Sequence, residues 1–92
     1  MVTGDLTSIV FGERLREARI ERGLTQEALA HRTDMHAANI GRMERGFSNP
    51  NLSTLERIAR VLEVDLGVLL HGIPIGLDGA AGGGPATADP RG

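Results

Sequence analysis

One stretch of this chain, LTQEALAHRTDMHAANIGRMERG at residues 24–46, constrains the fold more than any other. It reads as two short helices joined by a tight turn. Thr25 is suited to an N-cap, because its hydroxyl can accept a bond from one of the unpaired N–H groups that open a helix. Gln26 to Ala30 continue in strong helix formers. The periodicity breaks at Asp34, a residue type that tolerates a left-handed backbone and so can close the first helix. A second helix follows, with Ile40 and Met43 on one face and Gly46 as its C′ residue. Ala30, Met35 and Ile40 are then expected at the elbow. Ala30 is small there because two helices crossing at a large angle approach closely.

Two helices in this relation form a helix-turn-helix. The residues also carry a family likeness. Leu24-Thr25-Gln26-Glu27, Leu29-Ala30, Ile40 and Glu44-Arg45-Gly46 closely resemble the motif of the lambda-repressor/Cro-like transcription regulators. Upstream, GERLREARIERG (residues 12–23) is similar to the family's first helix, and NPNLSTLERIARVLEVDLGVLL (residues 49–70) to its fourth and fifth. The resemblance spans residues 8–71. It implies an all-α, compact five-helix DNA-binding domain, followed by a flexible Gly/Pro-rich tail. Three positions depart from the family pattern: Asp34 replaces the usual Gly, His36 the usual Ser or Thr, and Gly41 a polar residue. They bear on the reading helix and its sequence preference, not on the fold.

The chain has 92 residues, enough for one domain with a modest core, to which a second subunit could add stability. Residues 1–7 read as a leader, 8–71 as the domain and 72–92 as the tail. The tail holds seven Gly and three Pro without helical or strand period. Thr7 or Ser8 is the expected cap of a first helix that ends at Gly23, with Phe11, Leu15 and Ala18 as its apolar face. Gly12 within it implies close approach by another element. A fourth helix begins at Asn51, or slightly later through a Ser53…Glu56 capping box. Leu55, Ile58, Ala59 and Leu62 form its buried face. Asp65 caps a short fifth helix.

The net charge of −2 gives no general basic character. Its distribution is uneven, however. Between Arg14 and Arg60 nine arginines face six acidic residues, Glu17, Glu21, Glu27, Asp34, Glu44 and Glu56, a local net of +3. DNA binding requires a basic face rather than a basic protein. Without cysteine there is no disulfide or thiolate metal site. His31, His36 and His71 lack metal-ligand spacing, and His36 reads as an imperfect N-cap or a phosphate neighbour. No metal or cofactor is expected. No acid/base dyad or activated nucleophile points to an enzyme. No apolar run is long enough to span a membrane and no secretory signal is present, so a cytoplasmic protein is expected.

The family resemblance implies base reading by Ala37, Ala38, Asn39 and Arg42, with Arg42 able to bond guanine O6 and N7. It implies phosphate contacts at Gln26 and along the loop of Arg45, Phe47, Ser48 and Asn49, which set register without reading sequence. It also implies a structural ion pair between Arg19 and Glu44. The expected partners are double-stranded DNA and a second copy of the chain. Homodimerisation is read from an excess of apolar residues: Leu66, Val68, Leu69 and Leu70 cannot all face one core from so short a helix, and Ile73 follows close behind. The rival reading is an antitoxin-type or other protein-interaction module, binding a partner through the tail or the C-terminal face.

Overall fold

The computed structural model describes residues 6–72. Five helices follow in order: α1 (Leu6–Glu21), α2 (Gln26–Thr33), α3 (Ala37–Glu44), α4 (Leu52–Leu62) and α5 (Leu66–Leu70). No strand occurs among the described residues. The core is one cluster, with Phe11, Leu15 and Ala18 from α1, Leu29 and Ala30 from α2, Ile40 and Met43 from α3, Ile58, Ala59 and Leu62 from α4, and Leu69 from α5. Ala30 and Ile40 are buried at the elbow of α2 and α3, and Met35 packs there half-buried.

Side-chain caps open two helices. Thr25 Oγ1 accepts from the Ala28 N–H and Asn51 Oδ1 from the Thr54 N–H, each at 2.9 Å. The Ser53…Glu56 capping box does not form. Asn51 has already taken the cap, so Ser53 lies inside α4 and Glu56 pairs with Arg60 one turn on. Nor does Thr7 or Ser8 cap α1. The chain is helical by Leu6, and Ser8 is buried, donating its hydroxyl to Asn49 Oδ1. Residues 6 and 7, read as leader, therefore belong to the first helix.

Four helices close alike, on a residue of positive φ. At Gly23, Asp34, Gly46 and Glu63 the chain turns left-handed. In each case that residue's N–H and the next one reach back to two carbonyls of the last turn, as Asp34 N to His31 O (3.3 Å) and Met35 N to Ala30 O (2.8 Å) show for α2. These paired bonds satisfy carbonyls that the helix leaves open. Two of the four positions carry a side chain where glycine is the unstrained choice.

Gly12 sits where α1 crosses the end of α3. A Cβ there would lie 2.4 Å from the Met43 carbonyl oxygen and 2.6 Å from that of Glu44. The close approach foreseen for Gly12 is thus made by the backbone of the second motif helix.

One expectation for α5 is corrected. Leu69 has no exposed surface, because its side chain completes the monomer's own core beside α1 and α4, so it offers nothing to an interface. Leu66 is half-buried against the same core. Val68 and Leu70 remain exposed, at 47% and 37%. Ile73 lies outside the described residues, as does the tail beyond Gly72.

Candidate nucleic-acid interface

Helix α3 presents a solvent-facing strip of Ala38, Asn39 and Arg42, continued by Arg45 just after its end; all four are exposed. Its opposite side, Ile40 and Met43, is locked into the core. Ala37 is half-buried and lends its methyl to that core, so of the residues expected to read bases it is the least available. His36 takes the N-cap position of α3 but makes no side-chain capping bond.

The angle of α3 is fixed by one polar cluster. The Arg19 guanidinium on α1 grips Glu44 at the end of α3 with two bonds, Nε to Oε2 at 2.6 Å and Nη2 to Oε1 at 3.0 Å. Its third nitrogen, Nη1, donates to the Leu24 carbonyl at 2.8 Å. Glu44 Oε1 also accepts from Gln26 Nε2 at 3.1 Å. The Glu44 side chain is only 3% exposed and that of Arg19 12%. A charge so buried is tolerated only when paired and hydrogen-bonded, and here each guanidinium nitrogen and each carboxylate oxygen has a partner. The hydrogen bond to Glu44 raises the Arg19 pKa above its ordinary value, outweighing the opposing effect of burial. Arg19 is therefore always charged. These bonds tie α1, the turn at Leu24, α2 and α3 to one another.

The residues expected at phosphates divide into two sets. Gln26, the first residue of α2, points its amide toward α3 and Glu44. Arg45 and Phe47 lie past the end of α3, with the Arg45 guanidinium carbon 5.7 Å from the Phe47 ring centroid. Ser48 is half-buried, and Asn49 turns its amide oxygen inward to Ser8 on α1. Three features escaped sequence reasoning: the Gln26–Glu44 bond, the Ser8–Asn49 bond, and Arg57 of α4 donating to the Thr33 carbonyl at 3.0 Å across the end of α2. Each joins residues distant in sequence, and nothing local signals it. No group of three or more His, Cys, Asp or Glu suited to a metal ion occurs among the described residues.

Two helices braced at a fixed angle, the second with a free polar face, define a helix-turn-helix, the arrangement in which a second helix can enter a DNA groove. The comparison with known proteins agrees. A family model described as Helix-turn-helix matches residues 15–69, and the chain belongs to that family. The control protein C.BamHI of Bacillus amyloliquefaciens is 35% identical over 69 residues, which cover 74% of this chain and 85% of that protein. The HTH-type transcriptional regulator DdrOP3 of Deinococcus deserti is 37% identical over 73 residues, or 79% of this chain; the match spans only 57% of that longer regulator. Among solved structures, the restriction-modification controller protein C.AhdI of Aeromonas hydrophila superposes with a TM-score of 0.66 at 35% identity, covering 67% of this chain and 90% of that one.

Proposed function

We propose that this chain is a sequence-specific regulator that binds a two-fold symmetric operator as a homodimer, in the manner of a restriction–modification controller. The observation that carries the reading is the brace of Arg19, Glu44 and Gln26, which holds the Ala38, Asn39 and Arg42 face of α3 outward at a set angle. Arg42 reads guanine, Asn39 reads adenine or holds a phosphate, and the Ala37 and Ala38 methyls meet thymine methyls or let the helix sit deep in the groove. Gln26 and the residues from Arg45 to Asn49 hold the backbone on either side. The controller assignment is supported by the likeness to C.BamHI and C.AhdI, both 35% identical and matched over 85% and 90% of their own lengths. With DNA as its partner the protein acts in the cytoplasm; no helix among the described residues is long and apolar enough to cross a membrane.

The test is selection of a duplex from a random library, followed by titration at physiological salt against an unselected duplex. The expected outcome is a two-fold symmetric site with half-sites about 34 Å apart or a multiple of that, bound at about 10⁻⁸ M or tighter and far above random sequence. Equal affinity for the two duplexes would overturn the reading.

A further inference from the structure

Gly41 is buried although it has no side chain and stands on α3 one turn before Arg45. Beside it lie the side chains of two residues expected at phosphates, one opening α2 and one just past the end of α3. A Cβ at Gly41 would lie 3.2 Å from Arg45 Nη1, 3.6 Å from Gln26 Oε1 and 3.8 Å from Gln26 Nε2. The tip of Arg45 and the amide of Gln26 thus converge on the space that a side chain at position 41 would fill. Phe47, 44% exposed, is the aromatic neighbour of this arginine, its ring 5.7 Å from the Arg45 guanidinium carbon. An exposed arginine normally samples many rotamers, and ordering it on binding is a penalty. Here the guanidinium lies close to both the Phe47 ring and the bare side of Gly41 before any ligand arrives.

We propose that Gly41 is a positioning residue for DNA: it seats Arg45 beside Gln26, so that the two side chains form a single clamp for one backbone phosphate. The proposal rests on the regulator reading above. The chemistry of the clamp suits an anion. Arg45 offers guanidinium N–H donors, and Gln26 Nε2 has a second N–H beyond the one given to Glu44. Glu44 is the acidic group next to the clamp, and its charge is countered by the two-point bond from Arg19. A phosphate therefore meets a site of net positive character. The clamp also links the start of α2 to the residue that follows α3, so it sets the depth at which the reading helix enters the groove, while Gly41 itself touches no base.

Because a phosphate contact is blind to sequence, the test uses a random-sequence duplex of about two helical turns and needs no operator. Affinity is measured against salt for the wild type, Arg45→Ala, Gly41→Leu and the double variant, with thermal unfolding of each as a check on folding. Arg45→Ala is expected, for each bound subunit, to lower affinity about tenfold and to reduce the log–log salt slope by about 0.9, the signature of one lost phosphate contact per clamp. Gly41→Leu fills the seat and should do the same, and the double variant should be no worse than either single one. Gly41→Ala should fall between, since the flexible arginine tip need move only slightly. If Gly41→Leu does not fold, Phe47→Leu decides: it removes the aromatic neighbour, and its loss of affinity should vanish when Arg45 is already Ala. Wild-type affinity and slope in the folded Gly41→Leu variant or, where that variant is unfolded, in Phe47→Leu overturn the clamp alone, as does a double variant whose losses add. A wild type that binds no duplex even at low salt overturns the regulator reading with it.

Discussion

Arg19 and Glu44 stand 25 residues apart in sequence and meet in a two-point ion pair, nearly out of solvent, where α1 crosses the end of α3. A buried pair of this kind adds little net stability against an apolar pair of equal shape, but losing one partner strands the other. Arg19→Ala should thus destabilise the fold by about 3–5 kcal/mol, because it leaves the Glu44 carboxylate buried with only Gln26 as partner. A double-mutant cycle by denaturant unfolding should give a coupling above about 0.5 kcal/mol; a coupling of zero would mean that the pair does not exist in solution. The sign of any pH effect follows from the raised Arg19 pKa. The pair's contribution from Arg19 is complete below the unfolded arginine value and is lost only as pH rises through the still higher folded one. Titrating Arg19 should leave stability unchanged across the neutral range.

Gly12→Ala tests the crossing itself. In an open helix this change would stabilise by about 1 kcal/mol. Here the new methyl meets two backbone carbonyl oxygens that cannot swing aside. The net result should be a loss of about 1–3 kcal/mol, together with weaker DNA binding as α3 shifts. An unchanged or higher melting temperature would show that the helices are further apart than described.

Asp34 and Glu63 both hold left-handed backbone, at φ 60°. Asp34→Gly and Glu63→Gly should each raise stability by about 0.5–1 kcal/mol, the strain relieved exceeding the entropy glycine adds to the unfolded chain. The Arg22–Glu63 ion pair lost in the second case is exposed on both sides and contributes little. Melting curves of the single variants check this, and a drop in either would show that the side chain has a role beyond the turn.

These two residues also mark how far the sequence could be read. Asp34 interrupts a clear helical period and belongs to a residue type at home in turns, so its conformation was legible. Glu63 does neither, and only the packing of α4 against α5 forces the turn there. Asn51 and Ser53 both offered a cap for α4, and local chemistry does not choose between them; the fold favours Asn51. In Leu66–Leu70 a five-residue helix is too short to show a period, so which leucine points inward could not be read. The apolar faces of α1 and α4 were legible because each repeats over several turns. The polar brace was not, since no local spacing pairs Arg19 with Glu44; family likeness supplied it.

Arg42 is exposed in the middle of the free face of α3 and has no ion-pair partner among the described residues. Arg42→Ala should weaken binding to the selected operator by about 1–3 kcal/mol and relax preference at one base position. Titration against operators varied one base pair at a time checks this. A uniform loss on every duplex would make Arg42 a phosphate contact instead.

Dimerisation is expected at the α1–α5 side, and the burial pattern selects the residue that tests it. Leu69 is unsuitable, because a charge there would destroy the monomer's core. Val68 is 47% exposed on the same short helix, and with Ala18 and the 51% exposed Ile20 it forms the apolar part of a groove of about 360 Å³ between α1 and α5, which Arg14, Arg16, Glu17 and Glu21 also line. Leu70 adds a further exposed apolar side chain at the end of α5. Clustered apolar surface on a small domain marks an interaction face, and a two-fold axis through it would use the same patch from both copies. No residue of α3 lines the groove, and a two-fold contact there would leave both reading helices free to enter successive major grooves. Val68→Glu would place like charges against each other across that axis while leaving the core intact. Sedimentation should show a dimeric wild type and a monomeric variant at roughly ten micromolar, with equal helicity by circular dichroism. The variant should also lose most of its operator affinity, because each half-site is then bound alone. A folded Val68→Glu variant that remains a dimer would move the interface to another face, and a monomeric wild type would remove it.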